Sequence, residues 1–176
     1  MPSLSVLVHS DNGAKTLGRL LETLRPADEV VVVDHTGDEA TTKVVREYGA
    51  RLVPAVPGVN HGAYAVDCRN DWVLCLLSTE ALSEALEATL FEWKRADQLP
   101  SASFSLPLRE QGPEKNSWDD LIAETRLVNR CTVNWQGKLP PSLDTAIPLA
   151  GHLLRIVDRP DKDTPDKHSG NIADSQ

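Results

Sequence analysis

The polar clusters that close apolar runs are where this sequence could do chemistry. His9-Ser10-Asp11-Asn12 follows the apolar residues 4–8, Asp34 closes a run of four valines, and Ser78-Thr79-Glu80 follows residues 72–77. A separate loop supplies Asn60-His61-Gly62. Carboxylates accept hydrogen bonds, hydroxyls donate and accept, and imidazoles change charge near neutral pH. Plainer readings stand beside these. Asp34 can cap the turn that follows it, and Asn12-Gly13 is a turn dipeptide. Glu39 and Glu80 suit the first turn of a helix. His9 and His61 can be structural or solvated. Asp119 and Asp120, after Trp118, are either carboxylates offered from a loop or helix N-terminal acids, and a Trp beside acids can stack on a sugar. Lys15, Lys43 and Arg109 could supply positive charge, although no spacing singles them out.

Other chemistries lack their signatures. There is no G-x-G-x-x-G, no P-loop and no G-x-S-x-G. No His or Cys pair has metal-ligand spacing. Cys68, Cys75 and Cys131 are odd in number and form no C-x-x-C pair, so no disulfide framework is indicated.

The elements that must position these residues follow from periodicity. Residues 4–8 read as a strand. Leu17, Leu20, Leu21 and Leu24 then mark one face of a helix that stops before Pro26. Residues 29–33 form a strand without polar alternation, as in a parallel sheet covered on both faces. Thr41, Val44, Val45 and Tyr48 predict a second helix stopped by Gly49, and residues 51–53 a third strand. Residues 72–77 are a further buried strand. Leu82, Leu86 and Trp93 line a helix with Ser78 or Thr79 as N-cap. This alternation predicts right-handed crossovers with helices on both faces. Later strands are expected over 103–108, 126–135 and 152–157, with a polar loop between the first two. Residues 1–157 are expected to form one domain. From Asp158 onward the chain is charged and poor in apolar residues, so 158–176 is expected to be a disordered tail.

The 176 residues carry 26 acidic against 18 basic side chains, a formal net charge of −8. That balance excludes a general nucleic-acid binder and gives no support for anionic membranes. A single phosphate-bearing small molecule remains compatible. No stretch suits a bilayer span or a signal peptide, and the cysteine usage fits a cytoplasmic location. Trp72, Trp93, Trp118 and Trp135 are candidate anchors for a homodimer.

Four segments together resemble a known family. They are Ser5-Val6-Leu7-Val8-His9-Ser10-Asp11-Asn12; Ala27-Asp28-Glu29-Val30-Val31-Val32-Val33-Asp34 with Arg46-Glu47-Tyr48-Gly49-Ala50-Arg51 after it; Asp71-Trp72-Val73-Leu74-Cys75-Leu76; and Arg126-Leu127-Val128-Asn129-Arg130 through Trp135-Gln136-Gly137. In that order they resemble family 2 glycosyltransferases of the GT-A fold, closest to the subgroup that builds bacterial lipopolysaccharide cores. The match runs roughly over residues 3 to 143. The resemblance implies a three-layer, Rossmann-like α/β/α fold with a mixed, mostly parallel sheet. It implies a nucleotide-sugar donor of UDP type held by Ser10, Asp11, Asn12, Asp34 and His61, with Asp34 accepting from the base.

Two departures bear on chemistry. The family's D-x-D carboxylates hold Mg²⁺ or Mn²⁺ against the diphosphate, whereas Leu77 and Thr79 stand at the matching positions. The subgroup's His-Glu after W-x-G, a candidate base, is replaced by Pro140 and Pro141. Gly13 also replaces an acidic residue of the first loop. No metal or other cofactor is therefore expected. The expectation is a glycosyltransferase-like protein that binds the donor without ordinary metal-dependent transfer. The alternative is a non-catalytic interaction or regulatory module on the same fold, and whether the chain is an enzyme stays open.

Overall fold

The computed structural model describes residues 1–11 and 13–157; Asn12 and the segment 158–176, where a disordered tail is expected, lie outside the described residues. The alternating pattern resolves into β1 (Leu4–Ser10), α1 (Ala14–Glu22), β2 (Glu29–Asp34), α2 (Glu39–Glu47) and β3 (Arg51–Pro54). A 3-10 helix, His61–Asp67, then leads into β4 (Trp72–Leu77). β1 pairs in parallel with β2 on one side and β4 on the other, and β3 extends β2. The chain thus reverses direction across the sheet at β1. Such a switch point leaves a crevice outside the carboxyl ends of the strands, where ligands of open α/β sheets bind.

Strand alternation divides the core into two faces. Val6, Val8, Val32, Leu74 and Leu76 meet α1, α2 and a third helix, α3 (Glu84–Lys94). Leu7, Val31, Val33, Val73 and Cys75 meet Tyr64, Ala65, Trp135 and Leu139. The second covering layer is therefore a 3-10 helix and an irregular segment, where a full α-helix was expected. Pro54, Pro57 and Gly58 precede it, and none of them helps nucleate an α-helix.

The later chain departs further from the sequence pattern. β6 (Ser103–Gln111) and β7 (Trp118–Asn129) form one long antiparallel hairpin, and β7 also runs antiparallel to β4. Trp118, Asp119 and Asp120, read as a loop or helix start, pair with Gln111, Glu110 and Arg109. The first six residues of β7 are exposed, so no apolar alternation announced them. The strand expected over 126–135 stops at Asn129, whose side chain accepts from Cys131 N at 3.0 Å and turns the chain. The final expected strand is the short β9 (Leu153–Arg155), and β8 (Ile147–Pro148) pairs with β6.

Ser78 and Thr79 do not cap α3. They lie in the turn between β4 and β5 (Glu80–Leu82), and Ser83 caps α3 by accepting from Leu86 N at 3.2 Å. β5 pairs with β9, so the strand order is β3-β2-β1-β4-β7-β6-β9-β5. On a flat sheet, four steps would separate β4 from β5 by about 19 Å. The three peptide links from Leu77 to Glu80 span at most about 11 Å. The sheet must therefore curl into a half-barrel.

Arg126 fills the inside of that curl. It donates to Glu80 at 2.8 and 2.6 Å, to Glu124 at 2.9 Å and to the carbonyl of Cys75 at 3.1 Å. Glu80 also accepts from Leu77 N at 2.9 Å. Glu80 is thus a buried strand residue that clamps the barrel, not a helix-end acid. Among the described residues no helix is long and apolar enough to cross a membrane.

Candidate functional site at the carboxyl edge of the sheet

Three histidines from three separate elements converge at the switch point. His9 is the penultimate residue of β1, on the face that carries Leu7, and is 1% exposed. His35 follows β2 directly and is tied to β1 by its N–H donating to Ser10 O at 3.0 Å. His61, expected in a loop, opens the 3-10 helix. The ring centroids lie 5.2 Å apart for His9–His35, 5.6 Å for His9–His61 and 5.0 Å for His35–His61. His9 Nδ1 and His35 Nε2 share a hydrogen bond of 2.9 Å, one donating and the other accepting. Tyr64 meets the His9 ring edge-on at 6.1 Å. The other nitrogen of His9, Nε2, is buried and has no hydrogen-bond partner among the described residues.

Charge surrounds the cluster on its open side. Lys138 donates to Asp11, and the other carboxylate oxygen of Asp11 lies 4.0 Å from His35 Nδ1. Burial and the neighbouring cationic groups push His9 down to about 3. Burial also lowers His35, more than Asp11 raises it. Asp11 is itself lifted by burial, but its bond to Lys138 and the charges of Lys138 and His35 hold it below the ordinary carboxylate range. His9 is therefore held as a neutral imidazole beside the Lys138–Asp11 pair, and a proton added to one ring of the cluster raises the cost of adding the next.

The expected site residues divide between the two faces. Asp11 and His61 belong to the histidine cluster. Ser10 and Asp34 lie on the helix-covered face, because they alternate with His9 and Val33 along their strands. Asp34 is 6% exposed, and its Oδ1 accepts from Thr36 N at 2.9 Å and Thr36 Oγ1 at 2.7 Å. The turn-capping reading of Asp34 is thus realised. Ser10 Oγ is buried without a partner among the described residues. Asn12 lies outside the described residues. Glu39 does open a helix, α2, behind the N-cap Asp38. Arg109 is engaged with Asp120 at 2.7 Å. His35 and Lys138 were not singled out by sequence. His35 carried a signal, since it directly follows the strand that Asp34 ends. Lys138 carried none, being 127 residues from its partner Asp11.

The site does not fit a hard divalent cation. Leu77 ends β4 beside His9 in register and offers no oxygen side chain. A softer metal on the imidazoles fares no better. His9 and His35 aim ring nitrogens at each other, and among the described residues no group of three or more His, Cys, Asp or Glu is arranged to hold a metal. A cleft of about 540 Å³ runs beside the 3-10 helix, with Asn60, Gly62, Arg130 and Trp135 among its walls. Asp34 does not line it.

Comparison with known proteins gives a consistent outline. No protein-family model matches the chain. It is 26% identical over 138 residues to an uncharacterized glycosyltransferase of Rickettsia prowazekii, covering 74% of this chain and 47% of that protein. It is 31% identical over 88 residues to one of Rickettsia bellii, covering 48% and 30%. The match thus spans less than half of the length of these relatives. Among solved structures, a mycobacterial protein superposes with a TM-score of 0.59 at 13% identity, over 90% of this chain and 68% of the other. A smaller overlap exists with glucosyl-3-phosphoglycerate synthase of Mycobacterium tuberculosis, with a TM-score of 0.47 at 16% identity over 64% of this chain and 45% of that one. The chain is a mixed α/β, glycosyltransferase-like protein, similar in sequence to bacterial proteins that bear that name.

Proposed function

We propose that this protein binds the nucleotide of a nucleotide-sugar donor, of UDP type, at the carboxyl edge of β1 and β2, and does so without a divalent cation. The observation that carries this reading is the convergence of His9, His35, His61, Asp11 and Lys138 at the switch point of a glycosyltransferase-like sheet. Ser10 and Asp34 end the same two strands on the other face, and Asn12 follows in the first loop. Thr36 fixes Asp34 through Oδ1, so an imide N–H of the base would meet Oδ2. Leu77 at the end of β4 speaks against ordinary metal-dependent transfer. The expected activity is donor binding, with sugar transfer requiring a base that neither Pro140 nor Pro141 can supply.

Calorimetric titration with UDP, GDP, ADP, CMP and TDP, in EDTA and then in Mn²⁺, tests this. UDP is expected to bind with the same affinity in both, and Asp34→Asn to weaken it by roughly tenfold, the loss of one charge-assisted hydrogen bond. Absence of binding by every nucleotide at millimolar concentration would overturn the reading. A second reading, an interaction module on this fold, would then stand. It is favoured by Trp118, Leu121 and Ile122, which are exposed on the outer half of β7.

A further inference from the structure

We propose that His9, His35 and His61, together with Lys138, form a proton-coupled anion site that takes the diphosphate of the donor in place of a metal ion. The inference rests on the donor reading above, but its residues and its mechanism are separate from base recognition. Three observations carry it.

The first is the orphaned nitrogen. Among the described residues His9 Nε2 is buried without a partner, an unfavourable state for a ring nitrogen if nothing meets it. It belongs to the ring that His35, His61 and Tyr64 surround, at the ligand-binding edge of the sheet.

The second is the grouping itself. Four groups that are cationic when protonated come from four elements: β1, the turn after β2, the 3-10 helix and the segment after Trp135. Protonated, they repel one another, and the fold gives them one close carboxylate, Asp11, already bound to Lys138. Asp34 adds a weaker attraction at His35. Tyr64 OH accepts from Val56 N at 2.7 Å, and Leu77, beside His9 on β4, brings no charge. A packing role alone would be served by apolar side chains without this repulsion. An anion seated against the rings reverses the balance, because its charge stabilises each added proton.

The third is the partly exposed ion pair. Asp11 is exposed, while Lys138 is partly buried. The ammonium can exchange the Asp11 carboxylate for a phosphate oxygen without moving far, which suits a point charge on a flexible stem. Binding then takes up about one proton per diphosphate, and linkage makes affinity rise by up to about tenfold per unit fall in pH.

The test is calorimetry in EDTA at pH 7.5 with UDP, uridine and inorganic pyrophosphate, each in two buffers of different ionisation enthalpy. Wild-type protein is expected to take up a proton with UDP and with pyrophosphate, and none with uridine. His35→Gln with His61→Gln is expected to abolish the uptake and weaken UDP by at least roughly tenfold. Lys138→Met, on a half-buried segment, gives an independent variant if the double substitution fails to fold, and is expected to weaken UDP and pyrophosphate alike. If UDP binds with uptake unchanged in these variants, the anion site is wrong and the donor reading survives. If pyrophosphate binds with uptake and UDP binds no tighter, the anion site stands and the donor reading falls. If neither binds, both fall.

Discussion

Arg126 and Glu80 both have side chains that are 0% exposed, and each ion costs several kcal/mol to remove from water. The cost is met by directional bonds. Two guanidinium nitrogens reach the two Glu80 oxygens, Cys75 O takes one of the same nitrogens, and Leu77 N–H satisfies Glu80 Oε2. Arg155 and Glu124 extend the network to the barrel rim. Each partner therefore depends on the other more than the fold depends on the pair. Glu80→Ala is expected to destabilise the protein by about 3 kcal/mol in urea denaturation, because it leaves a buried guanidinium with only Glu124 and the Cys75 carbonyl as partners. The double variant Glu80→Ala, Arg126→Met is expected to recover a substantial part of that loss. A single variant as stable as the wild type would mean that the clamp contributes nothing.

The 3-10 helix meets the irregular segment after β7 through a close approach at Gly62. A Cβ there would lie 1.8 Å from the carbonyl oxygen of Trp135 and 2.5 Å from its carbon, both backbone atoms that cannot swing aside. Gly62 N–H also donates to Gln136 O at 3.1 Å. This contact fixes His61 against the segment that carries Lys138. Gly62→Ala is expected to cost roughly 1–3 kcal/mol by overpacking and to weaken UDP binding with it. Gly18→Ala is the contrasting case. It sits inside α1, its added carbon meets only Val44 Cγ1 at 3.7 Å, and it is expected to stabilise the protein by about 0.5–1 kcal/mol through helix propensity. Thermal melts of both variants separate the two effects. At this scale the chain was unevenly legible. The elements from β1 to β4 follow periodicity, because buried parallel strands and amphipathic helices write apolar patterns of different period. The outer half of β7 is exposed on every residue from Trp118 to Ala123 and wrote no pattern. The curl that brings Glu80 to Arg126 depends on pairings between residues 46 apart, which no local window contains.

Across the whole molecule, pH joins the site to stability. His9 is held down to about 3 in the native state, against 6.5 for a free imidazole. Between those values the unfolded chain binds a proton that the native chain does not. Native stability is therefore fully present above about pH 6.5 and is lost as pH falls toward 3, with a limiting slope of about 1.4 kcal/mol per unit from this residue. His35, also lowered, acts in the same direction. A second limb follows at lower pH. Burial raises Asp28 and Glu29, but bonds to Lys94 and Leu4 N in one case, and to Ser5, Arg69 and Arg51 in the other, lower them overall. Asp11 behaves alike through Lys138. These carboxylates contribute stability above their unfolded values and lose it as they protonate. The thermal midpoint is expected to be level above pH 7, to decline from pH 6.5, and to fall more steeply below pH 4.5. His9→Gln is expected to flatten the first decline and leave the second. Saturating pyrophosphate is expected to offset the first decline in the wild type, since the bound anion stabilises the imidazolium that burial alone disfavours. A midpoint level from pH 7 to pH 5 without ligand would mean that His9 takes up its proton as readily in the native state as in the unfolded chain, and a neutral His9 awaiting an anion would be the wrong description of the site.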